Sequence, residues 1–192
     1  AAGVSTIAVG TLFLVALQEG RTLPALMAVT LAGSSLGFLK YNFYPASIFM
    51  GDTGALFSGY ILAAISIGGA LKSAAAVTVF VPLLALGIPV FDTIFAIIRR
   101  LYNKKPLGKA DHGHIHHRLL ALGWSQSQSV LIVYAVSIVL GLTALIINGS
   151  NLVNALLMLS GIIGAVGTGA WKIGLFSVDM PAEGSGLEET NI

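Results

Sequence analysis

Six apolar stretches occupy most of this chain and decide what it can become: about Val4–Leu17, Leu23–Leu39, Ala55–Ile67, Ala74–Ile88, Val130–Ile147 and Leu152–Trp171. Too little charge is present to surround them with water-compatible surface. Charged residues make up 9% of the 192 positions against 56% hydrophobic ones, whereas a soluble domain carries about a quarter charged residues. The solvent of the folded chain is therefore largely lipid. The expected fold class is all-α and integral to the membrane, a polytopic helical bundle with about six transmembrane helices in this chain. Several stretches fall short of the roughly 20 residues of a straight span, but their flanks are uncharged enough to extend them. Small residues recur within them, as in Gly161–Gly169, and let helix backbones approach closely in lipid.

Six spans would put both termini on one side, together with loops at about 40–54 and 90–129. That side holds Lys40, Arg99, Arg100, Lys104, Lys105, Lys109, Arg118 and Lys172, and the other only Arg21 and Lys72. The inside-positive bias makes the first side cytoplasmic. Pro82 and Pro89 are expected to kink or break the fourth span. Val90–Tyr102 alternates apolar and polar positions at helical spacing, and either continues that helix or lies at the interface. The bundle is expected over 1–176, and the Gly-, Pro- and acid-containing tail 177–192 reads as a disordered cytoplasmic end.

A net charge of +2 and a pI near 9.0 invite a nucleic-acid partner, but the basic residues are too few and too concentrated for one. With no cysteine, disulfides and thiolate ligands are excluded. The first residues, Ala1-Ala2-Gly3, offer neither an initiator Met nor a basic signal-peptide region, so the chain is expected to begin inside a longer protein.

Two segments can carry chemistry. In the first, Lys40-Tyr-Asn-Phe-Tyr-Pro-Ala-Ser-Ile-Phe-Met-Gly-Asp-Thr-Gly54, Asp52 stands at the cytoplasmic mouth of the third span between Gly51 and Gly54. It is either a helix N-cap or a metal ligand, since a hard carboxylate suits Mg²⁺ bridging to substrate phosphates. The flanking glycines, Gly51 among them, would let a phosphate approach the backbone. Phe43, Tyr44 and Phe49 suit an aromatic belt or a ring that stacks on a base or sugar.

The second segment gathers all four histidines, His112, His114, His116 and His117, within six positions, beside six of the ten Lys and Arg residues. A zinc site is one reading, with His112 and His116 at i,i+4 and His114 and His117 at i,i+3, but no Cys or nearby Glu accompanies them. An anion site is the second: imidazole N–H donors with Arg118 and Lys109 can hold phosphate oxygens. A loop that merely sets topology is the third, and topology needs only Lys or Arg. Asp92, after Pro89, is either a cap or a partner of a base. A Gly-flanked Asp and a His-rich loop on one membrane face together suggest a metal-bound diphosphate, with a lipid substrate entering from the bilayer.

Three segments carry a resemblance: Phe43-Tyr-Pro-Ala-Ser-Ile-Phe-Met-Gly-Asp-Thr-Gly54, Pro89-Val-Phe-Asp-Thr93 and Asp111-His-Gly-His-Ile-His-His-Arg-Leu119. They resemble the polyprenyl-phosphate N-acetylhexosamine-1-phosphate transferases of bacteria, a glycosyltransferase 4 family. The branch they look like transfers N-acetylglucosamine 1-phosphate to undecaprenyl phosphate and starts teichoic acid and O-antigen type polymers. The resemblance implies that UDP-N-acetylglucosamine and undecaprenyl phosphate give the lipid diphosphate sugar plus UMP, with Mg²⁺ (Mn²⁺ as a substitute), at the cytoplasmic face of the bacterial inner membrane. It implies Asp52 as metal ligand and catalytic group, Phe49 near the uracil, Asn42 near the nucleotide, and His114, His116, His117 and Arg118 on the phosphates, His116 and His117 with catalytic roles. A homodimer is left open. The family also carries a paired-aspartate motif and an Asp-Gly-Leu-Asp-Gly-type motif in its amino-terminal half. This chain has neither, so the resemblance implies the carboxy-terminal half of a larger enzyme, inactive alone.

His-Ile-His-His separates this branch from the phospho-MurNAc-pentapeptide transferases, where three histidines are consecutive. A membrane transporter or metal-handling protein, using the histidines as ligands, is the reading from a different class. A noncatalytic fragment or partner subunit is a third.

Overall fold

The computed structural model describes residues 2–70, 80–102, 115, 119–120 and 122–172. Among them it contains helices and turns and no strand. Seven helices appear among the described residues: α1 Ala2–Gln18, α2 Thr22–Asn42, α3 Gly51–Ala70, α4 Phe80–Ala85, α5 Gly87–Tyr102, α6 Gln126–Asn148 and α7 Leu152–Lys172. Among the described residues, three segments are long and apolar enough to cross a membrane: Thr22–Asn42, Gln126–Asn148 and Leu152–Gly169. Only 22%, 28% and 11% of those spans is buried inside the protein. The rest turns apolar side chains outward, as at Leu23 (69% exposed) and Val153 (66%). Helices that are apolar all round have lipid as their solvent, and the protein is an all-α polytopic membrane bundle.

Lipid also dictates how the polar residues within these helices behave, because no water is there to pair with them. Thr30 Oγ1 donates to Leu26 O at 2.8 Å, Ser66 Oγ to Leu62 O at 2.8 Å, and Ser137 Oγ to Val133 O at 2.8 Å. Each hydroxyl is satisfied four residues back, within its own helix.

The packing decides which helix ends meet. Glu19-Gly20-Arg21 reverses the chain between α1 and α2, and Arg21 pairs through Nε with Glu19 Oε2 at 2.7 Å. Arg21 Nη1 also donates to Gly68 O at 3.0 Å, joining the start of α2 to the end of α3. Beside them α6 runs parallel to α1. Tyr134 covers Gly3, Thr11 lies against Gly141, and Asn148 Nδ2 donates to Gln18 Oε1 at 3.3 Å. The two glycines permit this approach, since a Cβ on either would overlap the facing side chain. Val9, Leu12, Val81, Leu140, Ala144 and Ile147 fill the core between these helices.

At one end of the bundle therefore stand the last turn of α2 and the first turns of α1, α3 and α6. Arg21, Gly68, Gln18 and Asn148 mark the other.

The fourth apolar stretch is broken, as its prolines lead one to expect, and its first part, 74–79, lies outside the described residues. Pro89 has no N–H to offer Ala85, four residues back, and its ring crowds that carbonyl. Ala85 is where α4 ends, and α5 begins at Gly87. A Cβ on Gly87 would come within 2.6 Å of Leu140 Cδ1, so α6 passes directly against the break. Val90–Tyr102 is helical throughout as the greater part of α5, so helix occupies the start of the segment expected as a cytoplasmic loop over 90–129. Between α2 and α3 the connection is 43–50, shorter than the expected 40–54. Lys72, the residues 173–176 and the tail 177–192 lie outside the described residues.

Replacing Gly141 by Leu drives a side chain into Thr11 on α1. The expected cost is about 1–3 kcal/mol of overpacking, seen as a lower thermal unfolding midpoint in detergent. Gly161→Leu, on α7 with nothing within 4 Å of its Cβ position, should leave that midpoint in place. Equal midpoints for the two variants would contradict the parallel α1–α6 contact.

Candidate functional site

The connection 43–50 is built on the open end of α2. The last four carbonyls of a helix have no partner within it. Phe43 N–H turns back to Leu39 O at 2.8 Å, and the chain then folds over Tyr41 O. That carbonyl accepts from Ser47 N at 2.9 Å and Ile48 N at 3.2 Å, and from Ser47 Oγ at 3.2 Å. Asn42 Nδ2 donates to Ile48 O at 3.0 Å. The Tyr44–Pro45 peptide is cis. A short segment is thus held by five backbone and side-chain bonds against one helix end.

This turn presents Phe49 outward, 80% exposed, and delivers the chain to α3 through Gly51. Gly51 has φ 65°, a region where an L side chain costs roughly 1–2 kcal/mol. Asp52 follows in the first turn of α3. It is therefore inside the helix rather than capping it, where the helix dipole favours a negative charge. Its carboxylate is exposed, and among the described residues it accepts no hydrogen bond and pairs with no cation. Lys40, in the last turn of α2, lies with Nζ 5.8 Å from the Tyr41 ring centroid. Tyr41, Phe43, Tyr44 and Phe49 are all exposed at this end, as an interfacial belt would be.

The other segment is reached from α5 and α6. Asp92 lies in the second turn of α5, too far from Gly87 to cap it. Instead its Oδ1 accepts the backbone N–H of Ile115 at 2.9 Å. Downstream, Leu119 is buried at 4% exposure, and its carbonyl accepts from Trp124 N at 3.2 Å. A capping box then starts α6: Gln128 N donates to Ser125 Oγ at 3.3 Å, and Ser125 N donates to Gln128 Oε1 at 2.9 Å. Ser125-Gln-Ser-Gln128 carries that signature in the sequence. The partnership of Asp92 with Ile115 has no sequence signal, being an encounter across 23 positions.

The structure therefore gathers Asn42, Phe49, Gly51 and Asp52 into one helix-turn-helix at one end of the bundle. It puts the N-terminus of α6, which follows the histidine segment, at that same end. Asp111, His112, His114, His116, His117, Arg118, Lys104, Lys105 and Lys109 lie outside the described residues, and Ile115 is the described residue within His-Ile-His-His. Among the described residues no group of three or more His, Cys, Asp or Glu comes together. Asp52, the residue expected to hold a cation, is among the described residues. Tyr41, through its carbonyl, and Leu119, through its burial, take part in the geometry and are not among the expected residues.

Comparison with known proteins agrees with the motifs. Residues 1–70 match the family described as glycosyl transferase family 4. A Bacillus subtilis protein named probable undecaprenyl-phosphate N-acetylglucosaminyl 1-phosphate transferase is 43% identical over 152 residues, 79% of this chain and 42% of that protein. A decaprenyl-phosphate N-acetylglucosaminephosphotransferase of Mycobacterium leprae is 38% identical over 122 residues, 58% of this chain and 31% of the relative. A phospho-N-acetylmuramoyl-pentapeptide-transferase of Desulforudis audaxviator is 33% identical over 157 residues, 76% of this chain and 42% of the relative. The chain spans less than half the length of each of these relatives.

Gly51 and Gly59 both lie in α3 and respond oppositely to alanine. Gly51→Ala forces a left-handed residue and should cost about 1–2 kcal/mol. Gly59→Ala, in the helix interior with an open Cβ position, should gain up to about 1 kcal/mol. Thermal unfolding of the two variants in detergent checks the signs, and a stabilised Gly51→Ala would contradict the turn geometry.

Proposed function

With residues 1–70 belonging to glycosyl transferase family 4, we propose that this chain forms part of a membrane phosphoglycosyl transferase. Its reaction moves N-acetylglucosamine 1-phosphate from UDP-N-acetylglucosamine to undecaprenyl phosphate and releases UMP. The site faces the cytoplasm at the bacterial inner membrane, and the product begins a cell-envelope polysaccharide or teichoic acid. The observation that carries this reading is the exposed Asp52 carboxylate, unpartnered among the described residues, near Phe49 at the bundle end where α6 begins. The name of the Bacillus subtilis relative supports it, and so does His114-Ile115-His116-His117, which departs from three consecutive histidines.

An oxygen of the lipid monophosphate attacks the sugar-bearing phosphorus of the donor. A phosphorus–oxygen bond forms there, and the bond to the bridging oxygen breaks as UMP leaves. The acceptor phosphate, with a second pKa around 6, is already substantially ionised and needs no strong base. Catalysis is then mostly positioning and charge neutralisation. His114, His116, His117 and Arg118 supply N–H donors to the phosphate oxygens. Phe49 offers an exposed ring to the uracil, and Asn42 beside it steadies the turn that holds the ring. Gly51 leaves the backbone at the mouth of α3 without a side chain.

Asp52 fits a hard cation: a single exposed carboxylate is a ligand type Mg²⁺ takes when substrate phosphates and water complete its shell. Bound there, Mg²⁺ or Mn²⁺ supplies neutralisation of the diphosphate charge.

The test measures Mg²⁺-dependent UMP release from UDP-N-acetylglucosamine and undecaprenyl phosphate, using the full-length protein that carries this sequence. Asp52→Asn and His116→Ala should each lower kcat by about 100-fold or more. Wild-type rates in both variants would overturn the site assignment. Preference for UDP-MurNAc-pentapeptide as donor would overturn the substrate.

A further inference from the structure

We infer that Asp92 is a positioning residue for the histidine segment: its carboxylate pins the middle of His114-Ile115-His116-His117 to α5. This rests on the proposal that those histidines hold the donor phosphates, and it concerns how they are brought there.

The placement of Asp92 is the first part of the case. Residues four apart share a helix face, and on the face of Asp92 lie Ile88, packed against the core, and Ala96, 9% exposed. A carboxylate on such a stripe is costly unless hydrogen-bonded. Asp92 is no cap, because α5 begins five residues earlier at Gly87. What it does is accept the Ile115 N–H at 2.9 Å, a charge-assisted bond of roughly twice the strength of a neutral one.

The second part is where that bond falls along the chain. Ile115 is the residue between His114 and His116 in the sequence, so the bond holds the chain at the centre of that motif. Leu119, buried at 4% exposure, holds the segment again four residues later. The two held residues, Ile115 and Leu119, are no more than about 14 Å apart by the reach of the chain. The anchor itself is firm. Gly87 lies against Leu140 of α6, and Phe91 and Phe95 stack along α5 with ring centroids 6.4 Å apart.

A pinned loop acts on the substrate it contacts. Releasing it should weaken the donor side of the reaction and leave the lipid acceptor alone. The experiment compares Asp92→Ala and Asp92→Asn in the full-length protein, with two readouts. Hydrogen–deuterium exchange of the peptide that contains Ile115 should speed up in Asp92→Ala and less in Asp92→Asn, which keeps an acceptor oxygen. Steady-state kinetics should show kcat/KM for UDP-N-acetylglucosamine falling about 100-fold in Asp92→Ala and about tenfold in Asp92→Asn. KM for undecaprenyl phosphate should not change.

Unchanged exchange around Ile115 in Asp92→Ala overturns the anchor. Faster exchange with wild-type donor kinetics overturns its role in positioning, and so does an equal loss on both substrates, which is the mark of general unfolding. A wild-type protein that releases no UMP defeats the reaction proposed above, and exchange then decides the anchor by itself.

Discussion

The parallel contact between α1 and α6 is what the arrangement of this molecule depends on. Helices in lipid gain nothing from hiding apolar surface from one another and associate where their backbones fit closely. Gly3 beneath Tyr134 and Gly141 against Thr11 provide that fit, and Asn148 on Gln18 closes it at the far end. Once α6 is parallel to α1, its amino-terminus stands where α2 ends and α3 begins. The chain that returns from α5 to α6 must finish at that end as well.

Charge is used differently at the two ends. At the Arg21 end the described ions are consumed in structure: Arg21 holds Glu19 and the carbonyl of Gly68, and so ties three helix ends together. At the opposite end Asp52 is left without a protein partner among the described residues, and Lys40 extends from the last turn of α2. A polar group left unpaired at the edge of a lipid-embedded bundle is available to a ligand. The turn that precedes it is over-determined by bonds to Tyr41 O and Ile48 O, so the carboxylate stands on a rigid base.

Much of this was legible along the chain because the signals are local. The apolar stretch Leu23–Leu39 grew into Thr22–Asn42, and the uncharged flanks supplied the difference. Pro82 and Pro89 forecast a kink or break in the fourth span, and it falls after Ala85, four positions before Pro89, where a missing N–H acts whatever the tertiary structure. Asp92 shows the limit. Three residues after Pro89 and ahead of a helical pattern, it reads as a cap or as a partner of a base; the helix starts earlier at Gly87, which removes the cap, and its Oδ1 accepts the Ile115 N–H. Leu119 likewise shows nothing in the sequence beyond being apolar, and only packing makes it the second hold on the segment after the histidines.

The sequence by itself determined that the backbone would be helical and embedded in lipid, because apolar length and the need to pair every backbone group are properties of each segment alone. It also determined the chemical inventory, since a carboxylate between glycines and a cluster of imidazoles are written in the residues. Tertiary structure decided which of these groups share an end of the bundle, and which carboxylate is spent on architecture and which is left open. Those outcomes turn on contacts between residues far apart in the chain, such as Thr11 with Gly141 and Asp92 with Ile115. No local pattern encodes them, because each depends on how closely two separate helices can approach.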